Sequence, residues 1–191
     1  MDQDLDKISV KTLWPTEIYM SKFDINFQAM IDEIYRLESI HKDIKKSNYG
    51  GWQSDVFLFK EEIFKPLCEK ISRNCFLIFQ KNTTLMHQMW ACINRPGNQN
   101  LIHSHGNIYE ISGVFYLKVP KNSGDIVFRD PRPGAINSPG HGKLISTGGC
   151  ENFIPEQGLL LLFPSFLDHF VMPNDSDEDR ISISFDLTLE D

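Results

Sequence analysis

The sequence predicts a mainly β fold: a jelly roll of two packed sheets, with helices near the N-terminus covering one of them. From residue 85 onward, short strand-like runs are separated by Gly, Pro and Asn, a pattern typical of all-β domains. Before residue 85, two stretches repeat apolar residues at helical spacing instead. With 191 residues, one domain is expected, with a helical and edge-strand support region at 1–84 and a jelly-roll core at 85–191.

The support region opens with an apolar stretch at residues 10–19. This stretch contains Pro15, which lacks a backbone N–H, so an edge strand is the most it can form. Amphipathic helices are predicted from the apolar spacing between Phe27 and Ile40 and again at residues 61–79. The glycine-containing segment 47–54 between them is predicted to be a loop.

Eight runs form the predicted jelly-roll core. They are residues 85–94, 108–119, 125–128, 142–147, 151–154, 159–163, 169–172 and 181–189. The segment 130–142 is rich in turn-forming residues, and loops of this kind often surround a binding site. We therefore expect the loops at 47–54 and 130–142 to lie at the mouth of a site.

Composition narrows the function classes. The formal net charge of −7 argues against a surface for nucleic acid, which needs clustered Lys and Arg. No signal peptide or long apolar run is present, and the four cysteines form no CxxC pair. A cytoplasmic protein without membrane or nucleic-acid partners is expected, with its cysteines packed as apolar residues. The oligomeric state stays open, and a homodimer is one option.

Three histidines and an arginine indicate a metal site with an anionic ligand beside it. Imidazole is a good ligand for divalent transition metals, and residues at i and i+2 of a strand share one face, as His103 and His105 would. His169 lies 64 positions after His105, beyond a buried strand and a proline-marked turn. Each of these histidines taken alone is more often a packed core residue, but the set together favours a metal site.

The strand that follows His169 has two different faces. Arg180, Ser182, Ser184 and Asp186 alternate with Ile181, Ile183, Phe185 and Leu187. Arg180 therefore begins a polar row, eleven positions after His169. Taken alone, Arg180 has an ordinary alternative role, a surface ion pair with the acidic run at 175–179.

These motifs together resemble a known superfamily. They are Asn94-Arg-Pro-Gly97, His103-Ser-His105, Ser112-Gly-Val-Phe-Tyr116-Leu, Ser123-Gly124-Asp-Ile-Val-Phe128, Leu162-Phe-Pro-Ser165, His169 and Arg180-Ile-Ser182. The pattern is similar to that of the 2-oxoglutarate- and Fe(II)-dependent oxygenases, in particular a small group from phages and bacteria related to prolyl hydroxylases. The resemblance covers about half of the chain. It implies a double-stranded β-helix, a jelly-roll variant with helices packed on one sheet.

The resemblance also implies roles for individual residues. His103 and His169 match the two histidines that bind iron, and Arg180 matches the basic residue that pairs with the distal carboxylate of 2-oxoglutarate. Ser182 matches the hydroxyl residue beside that carboxylate, and Tyr116 a tyrosine whose hydroxyl reaches the cosubstrate. Asn94 resembles an asparagine that precedes the metal motif in some families.

Position 105 departs from the family motif. The family has His-x-Asp or His-x-Glu, so His105 replaces a carboxylate and leaves a ferrous site one unit more positive. We expect His105 to bind the metal directly because of its i+2 spacing from His103. The alternative is a carboxylate from elsewhere, with Glu110 and Asp130 as candidates.

The activity implied by the resemblance is that of a dioxygenase. It would use Fe(II) as its metal cofactor and 2-oxoglutarate and O₂ as cosubstrates, with ascorbate as support. Its reaction would hydroxylate a protein side chain of the prolyl type or a small molecule. Two alternatives remain: a three-histidine, cupin-like metal dioxygenase that does not use 2-oxoglutarate, and a non-catalytic metal-binding jelly-roll module. Arg180 and Ser182 favour the first hypothesis, because an anionic cosubstrate explains them.

Overall fold

The computed structural model describes residues 9, 11–81, 83–106, 108–136 and 149–190, and its framework is two antiparallel sheets. The strands are β1 (Tyr19–Lys22), β2 (Asn48–Tyr49), β3 (Trp52–Gln53), β4 (Thr83–Asn94), β5 (Gln99–His103), β6 (Ile111–Lys118), β7 (Ile126–Arg129), β8 (Cys150–Phe153), β9 (Leu159–Pro164), β10 (His169–Val171) and β11 (Arg180–Glu190). The larger sheet has the order β1-β9-β6-β11-β4-β3, and the smaller one β2-β5-β10-β7-β8.

The helices agree with the predicted apolar spacing. Helix α1 spans Phe27–Ile40 and α2 spans Lys65–Phe79; a short α3 covers Pro133–Ile136. The predicted helix at 61–79 begins as a 3₁₀ turn, Glu62–Phe64, and becomes α-helical where Pro66 occupies the first turn, in which its missing N–H costs nothing. None of the helices in the described part of the chain combines the length and hydropathy needed to cross a lipid bilayer.

Helices α1 and α2 cover one face of the larger sheet. The apolar row of β11 packs here, and all four of its side chains are fully buried: Ile181, Ile183, Phe185 and Leu187. They belong to the same buried apolar cluster as Ile34 of α1 and Leu67 and Ile71 of α2. Burial of each such side chain contributes about 1.5–3 kcal/mol. The mainly β fold with N-terminal helices packed on one sheet is thus confirmed.

The opposite face of the larger sheet turns toward the smaller sheet. Val114, Tyr116 and Phe163 form a second apolar cluster here with Ile126 and Phe128 of β7. This cluster fills only part of the space between the sheets. The polar row of β11 borders the remainder, which is an open cavity.

Several strands differ from the prediction. The edge strand expected at residues 10–19 is misplaced: β1 runs over Tyr19–Lys22, beyond Pro15, and pairs with β9 at the end of the larger sheet. Strands β2, β3 and β5 were not predicted, because they are short or polar and have little apolar alternation. As a result the support region contributes strands to both sheets. The strand predicted at 142–147 lies outside the described residues.

Candidate metal and cosubstrate site

Three histidine side chains meet in the cavity between the sheets. His103 at the end of β5 lies directly opposite His169 at the start of β10, and their ring centroids are 4.3 Å apart. The ring of His105 lies 5.3 Å from His103 and 5.2 Å from His169. One nitrogen atom of each ring lies within 4.8 Å of the other two. Among the described residues, this is the group able to surround a metal ion.

Hydrogen bonds fix the tautomers of His103 and His169. Nδ1 of His103 donates to the carbonyl of Leu101 (2.7 Å), and Nδ1 of His169 donates to the carbonyl of Leu167 (2.9 Å). A carbonyl can only accept, so the proton resides on Nδ1 and the lone pair on Nε2. Both rings therefore present Nε2 as a ligand atom, the arrangement common among metal-binding histidines.

The position of His105 has a different origin from the one predicted. Strand β5 ends at His103, so His105 does not lie on the strand, and the i+2 argument for a shared face is wrong. Its backbone N–H instead donates to the carbonyl of Ser165 (2.9 Å), in the turn that follows β9. Its ring is held by a side chain of β11: Nδ1 lies 2.5 Å from Oδ1 of Asp186. Tertiary contacts, not strand periodicity, place His105 beside the other two histidines.

The two alternative carboxylates are engaged elsewhere. Oε2 of Glu110 accepts a hydrogen bond from the backbone N–H of Leu189 (2.6 Å), and Glu110 is exposed. Asp130 accepts two hydrogen bonds from the guanidinium of Arg132 (2.9 and 2.7 Å). Neither carboxylate belongs to the histidine group. The carboxylate that does lie near the group is Asp186, which sequence reasoning identified only as a member of the polar row.

Burial favours the neutral forms of His169 and His103. It lowers the pKa of His169 to about 3, an effect increased by the neighbouring His103, and it lowers the pKa of His103 as well. Desolvation has this effect because it disfavours the charged imidazolium. Neutral imidazoles are the form that binds metal.

A buried cation lies in the same cavity. Only 2% of Arg180 is exposed, and its Nη1 donates to the carbonyls of Gly124 (3.1 Å) and Ser123 (3.3 Å). Within the described part of the chain, Arg180 Nε and Ser123 Oγ are buried without a hydrogen-bond partner. Burial lowers the pKa of Arg180, yet a guanidinium stays protonated in proteins. A buried cation with a free donor is costly unless an anion binds it.

Glycine at position 124 is required by this arrangement. Its φ is +91°, and a Cβ atom there would come within 2.2 Å of the carbonyl oxygen of Met172. The backbone can therefore approach closely only without a side chain, and its carbonyl then meets the guanidinium of Arg180.

Two further predicted residues face the cavity and one does not. Tyr116 and Ser182 lie opposite each other on β6 and β11, and both line the cavity with Arg180. Burial raises the pKa of Tyr116 to about 12, so its hydroxyl remains a donor. Asn94 is buried outside the lining, and its Nδ2 donates to Oδ1 of Asn100 (3.0 Å). The structure thus places Asn94 in the packing between β4 and β5.

The cavity has a volume of about 690 Å³, and the side chains that line it differ between its inner part and its opening. Near the histidines its walls are aromatic: Phe163 lies 4.9 Å from His169 and Trp90 lies 5.5 Å from His105, between ring centroids. Toward solvent it is bordered by Leu101 and Ile102, which are half exposed, and by the more exposed Ile108. Three imidazole nitrogen atoms and a buried guanidinium in one cavity fit a divalent metal together with an anionic ligand.

A family model described as "Putative 2OG-Fe(II) oxygenase" matches residues 88–186, slightly more than half of the chain. The matched segment contains the three histidines, Tyr116, Arg180 and Asp186. No curated protein sequence matches the chain significantly.

Solved structures share the fold. A prolyl-4-hydroxylase from Pseudomonas putida has a TM-score of 0.65 at 14% identity, with 92% of this chain and 94% of that chain covered. The viral collagen prolyl hydroxylase from Paramecium bursaria Chlorella virus-1, in its 2OG complex, gives 0.61 at 14% identity, with 90% and 96% covered. HygX from Streptomyces hygroscopicus, with nickel, 2-oxoglutarate and hygromycin B bound, gives 0.65 at 11% identity, with 91% and 83% covered. At these identities the similarity shows the fold alone.

Proposed function

Because the chain belongs to the 2OG-Fe(II) oxygenase family, we propose that its three clustered histidines hold Fe(II) and that Arg180 holds the 2-oxoglutarate cosubstrate. Membership in this family makes the protein an oxidoreductase that depends on Fe(II) and 2-oxoglutarate. The assignment of residues to these two ligands rests on the geometry of the cavity.

The histidines form one face of the metal site. Nε2 of His103 and of His169 would bind the ion, with the tautomers set by the carbonyls of Leu101 and Leu167. Nε2 of His105 would complete the set, because its Nδ1 is already engaged by Asp186. When bound, Fe(II) and 2-oxoglutarate supply oxidation of a substrate C–H bond by O₂, with succinate and carbon dioxide as products.

Arg180 would neutralise the distal carboxylate of 2-oxoglutarate. Its Nη1 is held by two backbone carbonyls, while Nε has no partner in the described structure, so the fork has donor capacity left for a carboxylate. The hydroxyls of Ser182 and Tyr116 line the same part of the cavity and would donate further hydrogen bonds. Burial of these groups excludes water and strengthens each interaction with the anion.

One observation carries this assignment: a buried guanidinium, whose Nε has no hydrogen-bond partner among the described residues, shares a cavity with three clustered imidazoles. A three-histidine dioxygenase that does not use 2-oxoglutarate has no need of that arginine. A non-catalytic metal-binding module likewise leaves the donor unexplained.

The prime substrate is proposed to be a prolyl-type protein side chain or a small molecule that enters past an apolar rim. Leu101, Ile102 and Ile108 border the cavity and leave apolar surface exposed. Structures that share the fold include prolyl hydroxylases and HygX with bound hygromycin B, so the fold accommodates both kinds of substrate.

Turnover of 2-oxoglutarate tests the proposal. Purified protein with Fe(II), ascorbate and 2-oxoglutarate in air is expected to form succinate slowly without a prime substrate, as followed by NMR. Binding of 2-oxoglutarate is measured in parallel by calorimetry with Ni(II) in place of Fe(II). If neither binding nor succinate is detected, the proposal is wrong.

Proline-containing peptides and small hydrophobic metabolites then distinguish the two substrate classes. The true class is expected to accelerate succinate formation and to gain one oxygen atom, as measured by mass spectrometry. Acceleration by charged small molecules alone would contradict the role given to the apolar rim.

A further inference from the structure

A buried carboxylate stands directly behind His105. Asp186 is 2% exposed, and its Oδ1 accepts hydrogen bonds from Nδ1 of His105 (2.5 Å) and from the hydroxyl of Ser112 (2.6 Å). Ser112 Oγ also lies 2.9 Å from His105 Nδ1, so the three side chains form a closed triangle. The triangle joins β6, β11 and the turn after β5.

The other two histidines are oriented differently. His103 and His169 each donate Nδ1–H to a backbone carbonyl, which carries no charge. Only His105 has a carboxylate in that position. A carboxylate behind a metal-binding histidine fixes the ring, sets the tautomer and makes the ligand nitrogen more basic.

The formal charge of the ligand set gives a reason for a carboxylate beside His105 in particular. Two imidazoles and one carboxylate on a metal carry one negative charge. Three neutral imidazoles carry none, but the set of His103, His105, His169 and Asp186 again carries one. The carboxylate would act through His105, to which it is hydrogen-bonded, instead of binding the ion itself.

We propose that Asp186 is a positioning residue that supplies, through His105, the negative charge that the metal site lacks at position 105. The inference rests on the proposed function, because it assumes that the histidines bind the metal. Ser112 holds the carboxylate in place and orients it toward the imidazole.

Substitution of Asp186 by Asn tests the charge with little change in shape. We expect D186N to bind Co(II) about 10- to 100-fold more weakly than the wild type, with an altered visible absorption spectrum of the bound ion. The metal dissociation constant and the spectrum are both measured on the full chain. A matched control is D179N, which removes the same charge from a carboxylate that accepts a hydrogen bond from Tyr35 outside the cavity.

The outcomes separate this inference from the proposed function. If the wild type binds no Co(II), the metal site itself is wrong. If the wild type binds and D186N matches it in affinity and spectrum, only the role of Asp186 is wrong. An equal loss in D179N would also overturn the proposal, because the effect would then be one of overall charge.

Relocation of the carboxylate provides a second test. H105D alone places two carboxylates side by side and is expected to disturb the site, whereas H105D/D186N restores a single negative charge. The double variant should therefore bind Co(II) more tightly than H105D. Equal or weaker binding by the double variant would contradict the proposal.

A milder variant covers the case in which D186N does not fold. S112A keeps the carboxylate but removes one of its two hydrogen-bond donors, and it should weaken Co(II) binding by about two- to tenfold. Unchanged binding by S112A would overturn the proposal if D186N is unfolded.

Discussion

The two ends of the polar row on β11 differ in how well their polar groups are satisfied. At one end, Oδ1 of Asp186 accepts from both Ser112 and His105. At the other end, Arg180 Nε and Ser123 Oγ are buried without partners among the described residues. The proposed metal end is thus assembled by the protein itself, whereas the arginine end has donors available for a ligand. Incomplete hydrogen bonding is thus what we expect at the proposed anion site, and complete hydrogen bonding is what we expect at a preorganised metal site.

The largest expected effect is at the metal end. H169A removes the most buried of the three imidazoles, and a site with two remaining ligands should bind Fe(II) or Co(II) more than about 100-fold more weakly. Metal content by mass spectrometry and Co(II) titration measure the change. H41A is the control, because His41 is exposed and lies outside the cavity lining. Metal binding retained in H169A would show that the metal end is not where we place it.

The next effect separates the two ends. R180M removes the buried charge while it keeps a long apolar side chain, so 2-oxoglutarate affinity should fall by about 100-fold or more, or ~3 kcal/mol. Metal affinity should stay within a few-fold. Calorimetric titration of the metal-free protein with Ni(II) measures the metal affinity. Titration of the Ni(II)-loaded protein with 2-oxoglutarate measures the cosubstrate affinity. R95M is the matched control, since Arg95 pairs with Glu38 away from the cavity. An equal loss of metal affinity and 2-oxoglutarate affinity in R180M would show that the two ends do not bind their ligands independently.

The same variant makes an opposite prediction for stability. In the described part of the chain Arg180 is a buried cation with an unsatisfied donor, so ligand-free R180M should unfold at the same temperature as the wild type or a higher one. Added 2-oxoglutarate should then raise the unfolding temperature of the metal-loaded wild type but not that of R180M. Thermal scans with and without ligand measure this. A large loss of stability in ligand-free R180M would mean that the guanidinium is satisfied without an anion.

The smallest effect concerns the hydroxyls beside Arg180. Y116F removes a hydroxyl that we propose donates to the cosubstrate, so it should weaken 2-oxoglutarate binding by about two- to tenfold, corresponding to ~0.5–1.5 kcal/mol. Calorimetry again provides the measurement. Tyr35→Phe is the control, because the Tyr35 hydroxyl bonds to Asp179 outside the cavity. An unchanged affinity in Y116F would restrict the anion site to Arg180 and its neighbours on β11.

Much of the fold could be predicted from local patterns. The apolar spacing between Phe27 and Ile40 corresponds to α1, and the alternation along β11 separates a face buried against the helices from a face that lines the cavity. These predictions work because helix and strand periodicities depend on backbone geometry alone. Strand β5 escaped prediction even though it carries His103, because its Gln99 and Asn100 give it little apolar alternation.

The types of side chain in the site could be predicted from the sequence, but their contacts with each other could not. The sequence by itself determined that three imidazoles, an arginine and a row of hydroxyl and carboxylate groups were available, and that Arg180 and Asp186 share one face of a strand. Only the tertiary structure decided that His105 lies beyond the end of β5 and that Asp186, 81 residues further along the chain, is hydrogen-bonded to it. It also decided that Arg180 Nε has no hydrogen-bond partner among the described residues. The physical reason is sequence separation. Side-chain periodicity is set by residues that are close in sequence, whereas these pairings depend on which distant strands and turns pack against each other.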